Sequence, residues 1–543
     1  MAETGSAGWF ERVFVDLGRQ MRWSFLPPLM IYFSYGVSGL TAIVGTFFVK
    51  DYLGLSAAFL SGIAFWAGIP WALKMPLGHL VDLIWRYKGW LVYLGAALIG
   101  SSLAIMYFLI TDPEGMAALL PISAWYVVSV LLAPCGYVIQ DAVADAMSVE
   151  AVPRLDHAGE PIPQDQSRAM HTTMQTLGRF ALISGTVAVA LLNIAMFSGA
   201  EDLPQSEKAA IYARIYLVAL IIPVLSVSGV GLAAFQRRQD RHRLRRLGRT
   251  TAEIDAAQGR EEGEATPNHW YFTGGAIFVV LTLVIGLSDI AYAQEIVFVG
   301  SMAIVLFLMR QMIAVLEPAK ARMLVGTAVI IFVFRAVPLP GPGQTWFEID
   351  MLGFDEQFLS VLALITSVLT LAGIILLRPV MANRPITRII LLLTLAAAVL
   401  SLPNIGLFYG VQNWTAAHTG GVVDARFIAI LDTAVESPLG QVAMIPMLAW
   451  IARNAPSNLK ATFFAVMASF TNLALSASAL ATKYLNQIFL VTREVRDRAS
   501  GTIEIAADYG ALGGLLITVA VLGLVLPVLT IFLIQMSRLR TTD

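Results

Sequence analysis

Long apolar stretches follow one another along almost the whole chain, and they constrain its fold more than any other feature. Only 13% of the residues are charged and 57% are hydrophobic, whereas a soluble domain carries roughly 25% charged residues. A helix of about 20 apolar residues is long enough to cross the hydrocarbon core of a bilayer. The sequence therefore predicts an all-α integral membrane protein that crosses the lipid bilayer many times.

The apolar stretches fall into three groups that predict about 14 transmembrane helices. The first six spans lie near residues 26–50, 57–84, 89–111, 119–149, 169–198 and 209–235. Two shorter spans follow near 270–288 and 291–316. The last six lie near 322–345, 356–380, 386–410, 424–452, 459–489 and 510–536. This order predicts two six-helix bundles with two extra helices between them.

The most polar segment of the chain separates the two predicted bundles. It begins with seven arginines and ends with three glutamates: Arg237, Arg238, Arg241, Arg243, Arg245, Arg246, Arg249, Glu261, Glu262 and Glu264. Such a run is usually a solvated linker or a surface extension of a helix; phospholipid contact by the arginines is the alternative. The predicted domains are an amphipathic N-terminal segment (1–25), an N-terminal bundle (26–235), a cytoplasmic linker (236–269), two extra helices (270–316) and a C-terminal bundle (322–537).

The charges of the loops predict an orientation. Most basic residues fall on the side of the arginine-rich linker, and the positive-inside rule then places both termini in the cytoplasm. Arg493, Arg496 and Arg498 are exceptions on the opposite side. Residues 9–23 alternate charged and bulky side chains, which favours an amphipathic helix on the inner surface over a signal peptide. We expect a multi-pass protein of a bacterial inner membrane.

Several function classes are excluded by what the chain lacks. A net charge of −1 offers no basic surface for nucleic acid. No phosphate-binding loop, metal-ligand grouping or nucleophile elbow occurs in the sequence. The single cysteine, Cys135, excludes an intramolecular disulfide. The sequence thus predicts a protein that is not an enzyme and that needs no cofactor or metal.

Asp141 and Asp145 are the first candidates for a functional site. They are four residues apart and therefore share one face of a helix, with Gln140 beside them. An ionisable group within the membrane is costly, so it is a functional candidate by default. They could bind protons or a substrate amine, or they could form an ion pair with Arg179 or Arg168 that locks the bundle. A pair that breaks during a transport cycle would do both.

A second acidic pair, Asp432 and Glu436, repeats the same spacing. Pro438 follows, and it would bend the helix and free backbone groups to line a cavity. Four weaker candidates complete the set of predicted site residues. Lys74 and Asp82 could act as gating residues, Tyr35 could stack on an aromatic ring or simply pack, and Asn472 could face the pathway or only join helices.

Several segments together resemble the folate–biopterin transporter family, a branch of the major facilitator superfamily. They are Tyr32–Gly39, Lys50–Leu55, Trp71–Asp82, Gln140–Glu150, Leu352–Phe358, Ile445–Arg453, Ala455–Pro456 and Ala461–Asn472. Within Trp71–Asp82, Gly78 and Asp82 have the spacing that major facilitator transporters show between their second and third helices. The family's Lys-Pro pair is Lys74-Met75-Pro76 in this chain.

The resemblance implies a secondary active transporter that moves a folate- or pterin-like organic anion by alternating access, as a proton symporter. The carboxylates of a glutamate tail would suit the guanidinium groups of Arg179 and Arg335. The amino group of a pterin would suit the carboxylates of Asp432 and Glu436. Two alternatives stay open: a carrier for another solute, such as a muropeptide or an amphipathic metabolite, and a non-transporting membrane factor that helps to assemble pigment or lipid.

Overall fold

The computed structural model describes most of the chain. The described residues are 21–53, 55–84, 87–153, 155, 160, 162–200, 203–251, 253–254, 269–286, 290–313, 317–377, 385–439, 460–496 and 503–540. Nearly all of them are helical, and β1 (Val495–Arg496) pairs with β2 (Ile503–Ile505) in a small antiparallel hairpin. The predicted amphipathic segment 1–25 lies mostly outside these residues. Within them, ten helices are long and apolar enough to cross a membrane, so the number fourteen stays a prediction.

The first half of the molecule consists of helices that run back and forth between two ends. A 3₁₀ turn at Ser38–Thr41 connects α1 to α2, and another at Ile69–Leu73 connects α3 to α4. The helices of this half are α1 (Leu26–Val37), α2 (Ala42–Tyr52), α3 (Ala57–Gly68), α4 (Lys74–Leu83), α5 (Gly89–Thr111), α6 (Pro113–Leu119), α7 (Ile122–Glu150), α8 (Gln164–Met196), α9 (Gln205–Ala219) and α10 (Ile221–Arg246).

The two extra helices and the second half follow. The extra helices are α11 (His269–Gly286) and α12 (Ala293–Ile313). The second half consists of α13 (Pro318–Arg335), α14 (Pro342–Leu352), α15 (Glu356–Leu376), α16 (Ile386–Phe408), α17 (Val411–His418), α18 (Ala425–Glu436), α19 (Lys460–Ile488) and α20 (Leu512–Met536).

One predicted span differs from the structure, and the polar segment keeps an expected form. The expected continuous span at 322–345 is wrong, because α13 ends at Arg335 and α14 begins only at Pro342. Pro338, Pro340 and Gly341 (φ 79°) lie in the break, and proline cannot continue a helix because it lacks an N–H donor. α10 continues to Arg246 and carries most of the arginine cluster as a helical extension, one of the two forms expected for this polar segment.

Glycine pairs bring the helices of the first half close together. A Cβ atom on Gly95 of α5 would lie 2.7 Å from the carbonyl oxygen of Gly136 on α7, and one on Gly185 of α8 would lie 2.8 Å from the Cα of Gly36 on α1. Only glycine fits such distances, and small residues at helix crossings are typical of membrane bundles. These crossings bring α5 close to α7 and α8 close to α1, the two helices that carry residues of the candidate site.

Hydrogen bonds identify the two ends of the helices. The side-chain amide of Gln236, near the end of α10, donates to the carbonyl oxygen of Trp23, just before α1, at 2.7 Å. We call the end of the molecule that contains this hydrogen bond the linker end. The start of α1 and the end of α20 both lie there. The opposite end, which we call the far end, carries the start of α3, residues 353–355 and the paired strands β1 and β2.

Candidate functional site

One lysine bridges the acidic pair of α7. The ammonium nitrogen of Lys74 lies 2.6 Å from Oδ2 of Asp141 and 2.8 Å from Oδ2 of Asp145. Lys74 is the first residue of α4 and directly follows the 3₁₀ turn that contains Pro70. The turn therefore presents this cation to two carboxylates that are one helical turn apart on α7.

Tyr32 of α1 adds a third helix to this cluster. Its hydroxyl donates a hydrogen bond of 2.7 Å to Oδ1 of Asp145. Tyr32 lies three residues before Tyr35 and shares its helix face, so the periodicity of α1 could have identified it, although the sequence analysis did not predict it as a site residue. We call Lys74, Asp141, Asp145 and Tyr32 the α7 cluster.

The members of the α7 cluster differ in exposure. The side chain of Asp141 is 16% exposed and that of Lys74 is 23% exposed, whereas that of Asp145 is 48% exposed. Two carboxylates and one ammonium group carry a net charge of −1. Adding one proton would make these three groups neutral, and Asp145 is the carboxylate that is most accessible from between the helices.

A small recess adjoins the α7 cluster. It has room for about one water molecule and is lined by Ile31, Tyr32, Tyr35, Tyr137, Gln140, Asp141 and Ala144. The ring of Tyr35 packs against those of Trp71 and Tyr137, with centroid distances of 5.7 and 5.6 Å. Pockets for drug-sized ligands usually enclose about 300–1,000 Å³. The recess is therefore lined by aromatic rings but is too small to hold a molecule of that size unless it widens.

The structure shows a partner of the acidic pair that was not expected. In the alternative interpretation, Arg179 or Arg168 would pair with Asp141 and Asp145. The direct partner is Lys74. Arg179, on α8, is exposed and close enough to interact electrostatically with both carboxylates, while the side chain of Arg168 lies outside the described part of the structure, as does that of Asp82.

Two predicted amides form bonds that join helices. The amide nitrogen of Gln140 donates to the carbonyl oxygen of Val92 at 3.1 Å and to Oγ of Ser226 at 2.9 Å, which uses both of its hydrogens. The amide of Asn472 on α19 donates to the carbonyl oxygen of Trp71 at 3.2 Å. Asn472 thus connects the second half to the turn that presents Lys74. Substrate contact by either amide stays a prediction.

The second acidic pair lies in different surroundings. Oδ2 of Asp432 accepts a hydrogen bond of 3.0 Å from the amide of Asn404 on α16, and its Oδ1 is buried without a hydrogen-bond partner among the described residues. Glu436 is one turn further along α18. Glu348 of α14 interacts electrostatically with Asp432, and it accepts a hydrogen bond of 2.8 Å from Gln344. Neither Glu348 nor Asn404 was singled out from the sequence.

No described cation neutralises this second group in the way that Lys74 neutralises the first. Within the described ranges, no lysine or arginine forms an ion pair with Asp432, Glu436 or Glu348. Arg335, the other predicted guanidinium, is the half-buried last residue of α13, directly before the proline-rich break. Its contact with a substrate stays a prediction.

The many apolar helices, together with an ionised cluster and a recess between them, define a multi-pass membrane transporter of the major facilitator fold. The chain resembles the crystal structure of a POT family transporter in complex with 5-aminolevulinic acid, with a TM-score of 0.58, 14% identity and 96% of each chain covered. It also resembles the nucleoside transporter NupG, with a TM-score of 0.54, 11% identity, and 94% of this chain and 99% of that one covered. At such identities the likeness shows the fold.

Within that class, the chain belongs to the BT1 family, whose model matches residues 35–542. A folate-biopterin transporter from Synechocystis sp. is 25% identical over 469 residues, which are 86% of this chain and 75% of that protein. The predictions of an all-α membrane fold, of the family and of a transporter rather than an enzyme are confirmed.

Proposed function

We propose that this protein is a secondary active transporter that moves a folate- or pterin-like organic anion by alternating access, coupled to protons as a symporter. The name of the Synechocystis relative supports the solute class. The observation that carries the proposal is the α7 cluster, in which one lysine bridges two carboxylates beside an aromatic recess. The sites named below and the division into two moving bundles are parts of this proposal.

The chemistry of the α7 cluster supports proton coupling. Lys74 is held by Asp141 and Asp145 together, and Asp145 is also held by Tyr32. A proton on Asp145 removes one of the two charges that attract Lys74, so α4 loses part of its attachment to α7. Proton uptake would thereby change how α4 and α7 are connected, which is what a coupled conformational change requires.

The solute would bind between the recess and the second acidic pair. The rings of Tyr35 and Tyr137 offer faces on which a pteridine ring can stack. Arg179 and Arg335 would contact the carboxylates of the solute, and Asp432 and Glu436 would accept hydrogen bonds from ring donors. Since the recess has room for about one water molecule, the two halves must separate before the whole solute can enter.

The proposed orientation follows the loop charges. The arginine-rich extension of α10 lies at the linker end, and the positive-inside rule places that end in the cytoplasm of a bacterium. The far end would then face the outside of the inner membrane, and both termini would be cytoplasmic.

Uptake into proteoliposomes tests this function. Wild-type protein should accumulate labelled folate when an inward proton gradient is imposed, and a protonophore should abolish the accumulation. Asp145→Asn should lose accumulation against a gradient while still exchanging labelled for unlabelled solute, because exchange needs no net proton movement. Glu114→Gln, which changes an exposed carboxylate on α6, is the matched control and should behave as wild type.

Two results would contradict the proposal. Gradient-driven accumulation by Asp145→Asn equal to that of wild type would remove the coupling role of the α7 cluster. A failure of the wild type to take up folate and every pterin tested, together with uptake of a peptide or another metabolite, would show that the solute class is wrong.

A further inference from the structure

Charged residues at the far end join the two halves of the molecule directly. The ammonium nitrogen of Lys50, at the end of α2, lies 2.5 Å from Oδ1 of Asp350 on α14. Their side chains are 10% and 18% exposed. The hydroxyl of Tyr509 donates to the other carboxylate oxygen of Asp350 at 2.5 Å. Both oxygens of Asp350 are therefore engaged, one of them across the boundary between the halves.

Arg493 explains one exception to the distribution of basic residues. It follows α19, and its Nε donates to the carbonyl oxygen of Lys50 at 2.5 Å, while its Nη1 donates to that of Leu55 at 2.8 Å. Its guanidinium group lies 4.6 Å from the ring centroid of Trp346, and the residue is only 3% exposed. Arg493 thus ties the turn between α2 and α3 to the second half.

A separate polar contact crosses the same boundary nearby. Glu356, the first residue of α15, is 2% exposed and accepts a hydrogen bond of 2.5 Å from the hydroxyl of Tyr212 on α9. Lys208, one turn earlier on α9, lies 3.9 Å from the same carboxylate. In this contact, as in the Lys50–Asp350 pair, a donor from the first half meets a carboxylate from the second half.

At the linker end, the described ion pairs do not join the two halves. They stay within one half, as in Lys88–Glu150 at 2.7 Å and Arg237–Glu150 at 3.3 Å. The described ionic links between the halves therefore lie at the far end, which is the end that this structure closes.

We propose that Lys50, Asp350 and Arg493 form a gate that holds the far end closed and that must open to admit solute from that side. The inference rests on the proposed alternating access and assigns three functional residues to it. We call these three residues, with Tyr509, the far-end lock.

The chemistry of the far-end lock suits a contact that must break repeatedly. The attraction between two partly buried charges is largely offset by the water that they lose on pairing. When the lock opens, the charges regain that water, so the open state is not strongly penalised. An apolar contact of similar size would instead expose apolar surface each time it opened. Burial and the adjacent Asp350 raise the pKa of Tyr509, so its hydroxyl remains a hydrogen-bond donor at neutral pH.

Thiol labelling can measure the opening without any solute. Ser61 of α3 is 4% exposed, and its hydroxyl faces Gly341 in the second half. Because Cys135 is the only native cysteine, Ser61→Cys in a Cys135→Ser background provides a single reporter in nanodiscs. Asp350→Asn and Lys50→Met should each raise the maleimide labelling rate about tenfold, as expected when a hydrogen-bonded charge pair is lost. Tyr509→Phe, which removes one hydroxyl, should raise it by about threefold.

A neighbouring carboxylate provides the matched control. Asp355 lies at the same end and pairs with Arg426 at 2.7 Å, but both residues belong to the second half. Asp355→Asn keeps an acceptor for the backbone N–H of Phe358 and should leave the labelling rate unchanged. The charge reversal Lys50→Asp with Asp350→Lys should return labelling toward the level of the unmodified lock.

Every outcome decides for or against the far-end lock. Faster labelling in Asp350→Asn and Lys50→Met, with no change in Asp355→Asn, supports it. If Asp350→Asn does not fold, Lys50→Met, which removes the same contact between the halves, is the deciding variant. Unchanged labelling in the lock variants that fold, or an equal increase in Asp355→Asn, overturns it. The labelling needs no solute, so its result does not depend on whether the proposed solute class is right. Equally, normal folate uptake would not support the far-end lock if the labelling rates contradict it.

Discussion

The two acidic pairs of this protein have the same spacing and opposite surroundings. Asp141 and Asp145 on α7 share the ammonium group of Lys74. Asp432 on α18 has an amide partner, Asn404, and another carboxylate, Glu348, nearby. A four-residue spacing determines only that two side chains share a helix face. The elements that pack against that face decide whether the pair is neutralised.

This difference assigns different tasks to the two pairs. In the α7 cluster, Lys74 offsets one of the two carboxylate charges, so a proton would act by weakening the attachment of Lys74 to α7. At Asp432, Glu436 and Glu348, like charges lie together without a cation among the described residues, and like charges in low dielectric repel strongly. A proton or a ligand with hydrogen-bond donors would relieve more repulsion there. Three substitutions test the comparison through the free energy of unfolding.

The largest effect is expected for Lys74→Met. It removes the positive charge that Asp141 and Asp145 share. Because these ion pairs are partly buried, their contribution to stability should lie between those of exposed and of fully buried ion pairs. The free energy of unfolding should fall by about 2–4 kcal/mol, measured by denaturant unfolding in detergent micelles. Adding Asp141→Asn should restore part of the loss, because one of the repelling charges is then gone. Equal stability of Lys74→Met and the wild type would show that the bridge contributes nothing.

An intermediate effect is expected for Asn404→Leu. The substitution keeps the volume of the side chain but removes the 3.0 Å hydrogen bond to Asp432, a residue that is only 9% exposed. A buried charged acceptor that loses its partner costs about 2–3 kcal/mol. The double variant with Asp432→Leu should recover most of this loss, since neither partner is then left unsatisfied. A loss that persists in the double variant would instead indicate a packing defect.

The smallest effect is expected for Tyr32→Phe. It removes the 2.7 Å hydrogen bond to Asp145, yet that carboxylate keeps Lys74 and is 48% exposed, so water can replace the hydroxyl. The loss should be about 1 kcal/mol, smaller than that of Asn404→Leu. If Tyr32→Phe proves the more destabilising of the two, then a cation and solvent access do not protect the α7 cluster as we infer.

Some features of the site could be predicted from local sequence and others could not. The shared face of Asp141 and Asp145 follows from helix periodicity alone. The bridge from Lys74 was not predicted, since the alternative interpretation named only Arg179 and Arg168. The position of α4 beside α7 depends on how whole helices pack. The break between Arg335 and Pro342 was missed for another reason: the apolar residues around the prolines read as one continuous span.

The far end shows most clearly which contacts cannot be predicted from local sequence. Arg493 appeared in the sequence as a misplaced basic residue, whereas in the structure it is buried and bonded to the carbonyl oxygens of Lys50 and Leu55. Nothing within a few residues of Arg493 predicts those partners, which come from the opposite end of the chain.

The sequence by itself determined that the protein lies in the membrane, that it is helical and that it belongs to a transporter family, because hydropathy, periodicity and family motifs are properties of contiguous residues. Only the tertiary structure decided which charge meets which. Pairing inside a bundle depends on the relative position of helices far apart in the chain, and the low dielectric between them makes each such choice costly to reverse.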